Sequence, residues 1–154
     1  MTPATIVGLA VADALGMPFE TRHPDDPFLI SWDGVTYLSS EYHKLAPGQW
    51  TDDTMMSRLL AQSLVERDGY DAHDVAQRYT DWYENGPHRG MGKTTGIALK
   101  ALSEGGTPRT SGVPGAEGNG TAMRAAPLGA FYSFDEGEVA DYALEDAAIT
   151  HRSK

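Results

Sequence analysis

Residues 49 to 56 read QWTDDTMM, so Thr51, Asp52 and Asp53 set one hydroxyl and two adjacent carboxylates directly ahead of a helical run. Two readings stay open. In the first, Thr51 caps the helix and the two acids occupy its first turn, where the helix dipole favours negative charge by roughly 0.3–1 kcal/mol each. In the second, hydroxyl and carboxylate oxygens hold a hard cation, Mg²⁺ or Mn²⁺. Consecutive helical carboxylates diverge by about 100°, so they could serve two ions of a pair about 3.5–4 Å apart, whose charge would cancel the repulsion between the acids.

Two further stretches carry groups of the same kind. ADALGMPFE, residues 12 to 20, closes a helix at Gly16 and places Glu20 at the start of a long loop. Asp13 and Glu20 read either as solvated acids or, for Glu20, as a general base or a carboxylate that gates an ion. GAEGNGTAMR, residues 115 to 124, holds Gly115 and then Gly118 and Gly120 on either side of Asn119. These glycines serve a turn, or they permit positive φ and close backbone approach ahead of a helix whose first N–H groups are free, which binds phosphate without lysines. Arg124, one turn into that helix, can pair with a phosphate or with an acid of the core.

GMGKTTG, residues 90 to 96, imitates the end of a P-loop. The pattern GxxxxGK[ST] requires glycine at position 87, which is Pro87, and the preceding segment has a helical rather than a strand pattern. A P-loop nucleotidase is therefore not expected. His23, His43, His73, His88 and His151 form no HxxxH or similar pair, so zinc is not expected, and each reads as a surface or packing residue.

The bulk properties narrow the partners. A chain of 154 residues has room for one domain with a real core. The absence of cysteine excludes a disulfide framework and thiolate ligands, leaving oxygen and imidazole for any metal. Twenty-two acids against twelve bases give a net charge of −10, which opposes nonspecific attraction to nucleic acid or an anionic membrane. No apolar window approaches a membrane span, and MTPATIVGLAVADALG lacks a basic segment and cleavage site. A soluble cytoplasmic protein is expected, with neither nucleic acid nor membrane as partner.

The elements that must position these residues follow from periodicity. Thr2 to Leu15 predicts a helix with Thr2 as N-cap and Ile6, Leu9, Ala10 and Ala14 on one face, and Gly16 and Pro18 stop it. Residues 20 to 48 read as an irregular excursion, and the apolar patches Phe28–Ile30 and Val35–Leu38 are too short to assign as strands. Helices are predicted over Asp52–Arg67, from Asp71 to Gly86-Pro87, over Thr94–Ser103 with Ile97, Ala98, Ala101 and Leu102 buried, and over Glu136–Thr150. Between the last two lie a glycine-rich loop, residues 105 to 120, and a short helix interrupted near Pro127. Six helices and no secure strand predict an all-α domain whose function sits in its loops.

Taken together, GLAVADALGMPFE, WTDDTMM, GMGKTT, GNGTAMRAAPLG and the TH at 150 to 151 resemble, in order and spacing, the ADP-ribosylglycohydrolase family. Each motif is weak alone, and five in register are specific. The resemblance implies an orthogonal multi-helix all-α fold and two Mg²⁺ or Mn²⁺ ions. It implies hydrolysis of the bond between ADP-ribose and a modified protein side chain. Thr51, Asp52 and Asp53 match metal ligands of the family, and Glu20 a carboxylate that gates or performs catalysis. Gly118, Asn119 and Gly120 match the loop that holds the diphosphate, His151 a histidine near the ribose, and Gly90, Gly92 and Thr94 a further ligand-side loop. Gly90 also stands where arginine-directed relatives carry an aspartate, so the acceptor side chain is left open.

Members of the family continue well beyond the position of His151 and end in a second acidic motif that completes the metal sites. The expectation is therefore that residues 1–154 form the N-terminal half of one domain, paired with a C-terminal half or another copy of the chain. DYALED, residues 141 to 146, falls on the helix before Thr150 and is not counted as the missing ligands. A non-catalytic ADP-ribose-binding module and a purely structural helical protein remain the alternatives.

Overall fold

The computed structural model describes residues 3–152; the N-cap expected at Thr2 lies outside the described residues. Seven α-helices make up most of the fold: α1 (Pro3–Gly16), α2 (Pro27–Ile30), α3 (Asp52–Arg67), α4 (Ala72–Asn85), α5 (Lys93–Ser103), α6 (Ala126–Phe131) and α7 (Glu136–Thr150). The all-α expectation holds, with one addition. Val113–Pro114 (β1) and His151–Arg152 (β2) pair in parallel, a two-residue contact too short to leave a sequence signal.

Helix α3 is the axis of the molecule, touching α1, α4 and α6. Met56, Leu60 and Leu64 on it are fully buried against Val75 and Tyr79 of α4, Leu99 of α5, Leu128 of α6 and Ile149 of α7. The flank of that stripe is buried as well, through Ser57 and Ala61, small residues that let neighbouring backbones approach, while Arg58, Gln62 and Val65 on the far side are exposed. A central helix therefore shows a wider buried surface than the single apolar stripe the periodicity describes.

Capping fixes the boundaries. Asp71 accepts from the N–H groups of His73 and Asp74 at the start of α4. Asp68, in the left-handed region at φ 54°, closes α3 with its N–H on the Leu64 carbonyl.

Three local expectations are corrected. Phe28–Ile30 belongs to a one-turn helix, α2, with Pro27 at its start and the Asp26 carboxylate accepting from the Phe28 N–H. Pro127 does not interrupt a helix but opens α6, a position where its missing N–H costs nothing. On α5 the buried face runs through Thr95, Ala98 and Leu99, packed toward α4 and α7, while Ile97 lies on the opposite side of the helix and is half exposed.

Candidate functional site

The first turn of α3, the end of α1 and the segments 90–95 and 118–120 surround a cleft of about 790 Å³. Its walls bring together Glu20, Thr51, Asp52, Asp53, Gly90, Gly92, Thr94, Gly118, Asn119, Gly120 and His151. Gly115 and Arg124 are not among them.

An acid whose part the sequence does not reveal organises the floor. Asp13, read there as solvated, accepts from the Thr51 N–H at 2.8 Å, the Thr51 hydroxyl at 2.8 Å, the Thr54 N–H at 3.2 Å and the Thr54 hydroxyl at 2.6 Å. Asp13 on α1 thus caps α3 from outside it. Thr51 holds the N-cap position but makes no side-chain capping bond, because its hydroxyl is turned to Asp13. The one available signal is an acid in the last turn of an otherwise apolar helix. Its partners lie some forty residues away, beyond any local pattern.

Capping by Asp13 leaves Asp52 and Asp53 facing the cleft without a basic partner among the described residues. Burial, reinforced by the adjacent Asp53 carboxylate and by Glu20, pushes Asp52 up to about 7. Burial, followed by the charges of Asp13 and Glu20, raises Asp53 too. The Asp52 carboxylate receives only a long contact from the Gly92 N–H, 3.4 Å. Gly90 closes over the same turn at φ +70°, and a β-carbon there would lie 2.7 Å from Thr51 Cβ and 3.0 Å from Asp52 Oδ1. Only glycine fits that approach.

Glu20 caps the one-turn 3-10 helix Met17–Phe19, and its side chain is half exposed at the cleft mouth. The excursion after it is not formless. An antiparallel bridge between Ser40 and Leu45 turns the chain so that His43, nearly buried, reaches Glu20 Oε2 at 2.5 Å through Nε2. His43 is a second residue the sequence did not connect to the site.

The 118–120 loop departs from its expected geometry. Gly118 and Gly120 do not have positive φ, and the segment enters a three-residue 3-10 turn, Ala122–Arg124, rather than an α-helix. Their glycine character is steric instead. A β-carbon on Gly118 would lie 3.2 Å from His151 Nε2, and one on Gly120 2.6 Å from His151 Cε1. Among the described residues, the N–H groups of Gly118, Asn119 and Gly120 donate to no protein acceptor. Lys93, at the start of α5, brings a cation to the lining of the same cleft.

Arg124 takes the second of its two possible partners. Fully buried, it donates to Asp146 Oδ2 at 2.6 Å, the Asp146 carbonyl at 2.7 Å, the Gly120 carbonyl at 2.9 Å and Thr150 Oγ1 at 2.9 Å. It is a core residue that braces the loop, not a ligand to a phosphate. Gly115, at φ +68°, donates its N–H to the Arg152 carbonyl at 2.7 Å and so extends the β1–β2 contact away from the cleft.

The donor set fits a hard cation in kind: a hydroxyl and two carboxylates whose ionisation the site opposes unless positive charge arrives. It does not fit in number. Among the described residues no three acidic or imidazole side chains converge on one point.

Comparison with known proteins places the chain. The family profile described as ADP-ribosylglycohydrolase matches residues 3–154. A protein of Archaeoglobus fulgidus is 36% identical over 95% of this chain and 48% of its own length. ADP-ribosylhydrolase ARH3 of Gallus gallus is 32% identical over 95% of this chain and 43% of its own. A solved ADP-ribosylglycohydrolase-related protein complex superposes with a TM-score of 0.76 at 34% identity, covering 97% of this chain and 48% of that one. The chain spans about half the length of the relatives it matches.

Proposed function

The chain belongs to the ADP-ribosylglycohydrolase family, and from that premise we propose that it carries most of the active site of a metal-dependent hydrolase removing ADP-ribose from modified protein side chains. The observation that supports this most is the acidic turn, the free N–H loop and Glu20 meeting in one cleft.

Thr51, Asp52 and Asp53 would hold the Mg²⁺ or Mn²⁺ ions. When bound, the ions supply Lewis-acid polarisation and a fixed grip on the ribose hydroxyls. The loop N–H groups of Gly118, Asn119 and Gly120 offer hydrogen bonds to a diphosphate, and Lys93 offsets part of its charge. Gly90, Gly92 and Thr94 form the facing wall. Cleavage at the ribose anomeric carbon passes through an oxocarbenium-like state. Glu20, held by His43, is placed at the mouth to accept a proton from attacking water.

The remaining metal ligands come, in this reading, from a C-terminal half of the domain or from another copy of the chain. The same helix α1 that lines the cleft leaves Val7 60% and Val11 42% exposed on another face, an apolar surface open to that partner. The incomplete donor set also supports a second reading, a non-catalytic ADP-ribose-binding module. A thermal-shift titration with Mn²⁺ and Mg²⁺ tests the metal assignment. At about a hundredfold excess over Kd the cation stabilises the chain by about 2.7 kcal/mol, and Asp53→Asn abolishes the shift. An equal shift in the variant would remove Asp53 from the ligand set.

A further inference from the structure

His151 is held differently from the other cleft residues. It is 8% exposed, lines the cleft, and follows directly on Thr150, which is fully buried at the end of α7. The Thr150 hydroxyl oxygen lies 2.9 Å from Arg124 Nη1 and 2.8 Å from His151 Nδ1.

The chemistry of the three groups fixes which of them donates. A guanidinium only donates, so Thr150 Oγ1 accepts from Arg124. The Thr150 O–H then needs an acceptor, and among the described residues the only one in reach is His151 Nδ1. Arg124 is itself fixed by the Asp146 carboxylate and carbonyl, both inside the core. An imidazole that accepts at Nδ1 carries its proton on the other nitrogen.

We propose that Thr150, anchored through Arg124 to Asp146, is a positioning residue that locks His151 as the tautomer protonated at Nε2 and presents that N–H to the cleft. Nε2 has no protein partner among the described residues, and it faces the backbone of Gly118 and Gly120. A donor there fits an acceptor oxygen of the ligand beside the loop, whether ribose or phosphate; that part rests on the ADP-ribose reading above. Burial, followed by the nearby Arg124 charge, lowers the pKa of His151, so a single donor rather than a cation meets the ligand at neutral pH.

The lock is tested without any activity. Two-dimensional ¹⁵N–¹H spectra correlating ring nitrogens with ring carbon-bound protons distinguish the two neutral tautomers, and the His151 signals are assigned by their loss in His151→Gln. The full chain is expected to show His151 protonated at Nε2. Thr150→Val is expected to give a mixed or reversed tautomer, and Thr150→Ser to restore the wild-type pattern. A merely structural threonine would lower stability in Thr150→Val without moving the tautomer. A wild-type proton on Nδ1, or an unchanged tautomer in Thr150→Val, overturns the proposal.

Titration with free ADP-ribose separates this from the functional reading. Thr150→Val is expected to bind about tenfold more weakly, the equivalent of one misdirected hydrogen bond, and Thr150→Ser normally. Failure of the wild-type chain to bind ADP-ribose, with the Nε2 tautomer observed, would contradict the functional reading and uphold the lock.

Discussion

At Gly120 the cleft has no room for a side chain, because a β-carbon would sit 2.6 Å from His151 Cε1. The ring cannot yield cheaply, since its other edge is bonded to Thr150, which Arg124 in turn holds. Gly120→Ala is therefore expected to displace either the loop or the imidazole and to weaken ADP-ribose binding by about tenfold or more. Calorimetric titration of the variant checks this, and unchanged affinity would mean that the loop does not touch the ligand. At this scale the sequence located the residues but not always the reason for them. Gly118 and Gly120 were legible as a close-approach loop, yet the constraint is the neighbouring imidazole rather than backbone φ. Asp13 and His43 were illegible as site residues, because each acts on a partner more than twenty positions away.

Between elements, ion pairs and caps decide how α3, α4 and α7 hold the site. Arg124 and Asp146 tie the 118–124 segment to α7 at zero exposure for the arginine. Arg124→Leu strands the Asp146 carboxylate in the core and is expected to cost about 3–5 kcal/mol, read by urea denaturation. A loss below about 1 kcal/mol would show that Asp146 regains water. Asp74 on α4 is a milder case. Partial burial works against its ionised form, but hydrogen bonds from Arg78 and Arg67 prevail and hold it at about 2. Its folded pKa lies below the unfolded value, so its contribution is present above about pH 4 and is lost as pH falls through 2. With solvent screening at the exposed Arg67, Asp74→Asn should cost about 1 kcal/mol at pH 7, the gap closing toward pH 2. A gap that persists at pH 2 would assign the effect to packing. The helices themselves were legible from caps and periodicity, Asp52–Arg67 and Glu136–Thr150 to the residue. The β1–β2 contact and the burial of Asp146 were not, since both depend on which distant segment comes alongside α7.

Over the whole molecule, one cleft with a surplus of carboxylate faces the end of α1, and the same helix exposes Val7 and Val11. Family membership was legible from five motifs in register, and so was the expectation of further metal ligands from another segment; where that segment would dock was not, because an exposed apolar face shows only once α1 is packed. On the proposed reading the motifs describe what this chain contributes, and other ligands would complete the coordination shell of each cation. On the proposed reading, ADP-ribose contacts are largely provided here, and turnover requires the partner segment.

The most direct test is release of free ADP-ribose from arginine- and serine-modified protein, with and without Mg²⁺ or Mn²⁺. It should be run for the chain alone and for the chain mixed with the part of the Archaeoglobus fulgidus relative that lies outside the matched segment. The expected result is release that requires both the divalent cation and the added segment and that disappears in Asp53→Ala. Release that survives chelation or Asp53→Ala would contradict it, as would the absence of release from a complex shown by light scattering to have formed.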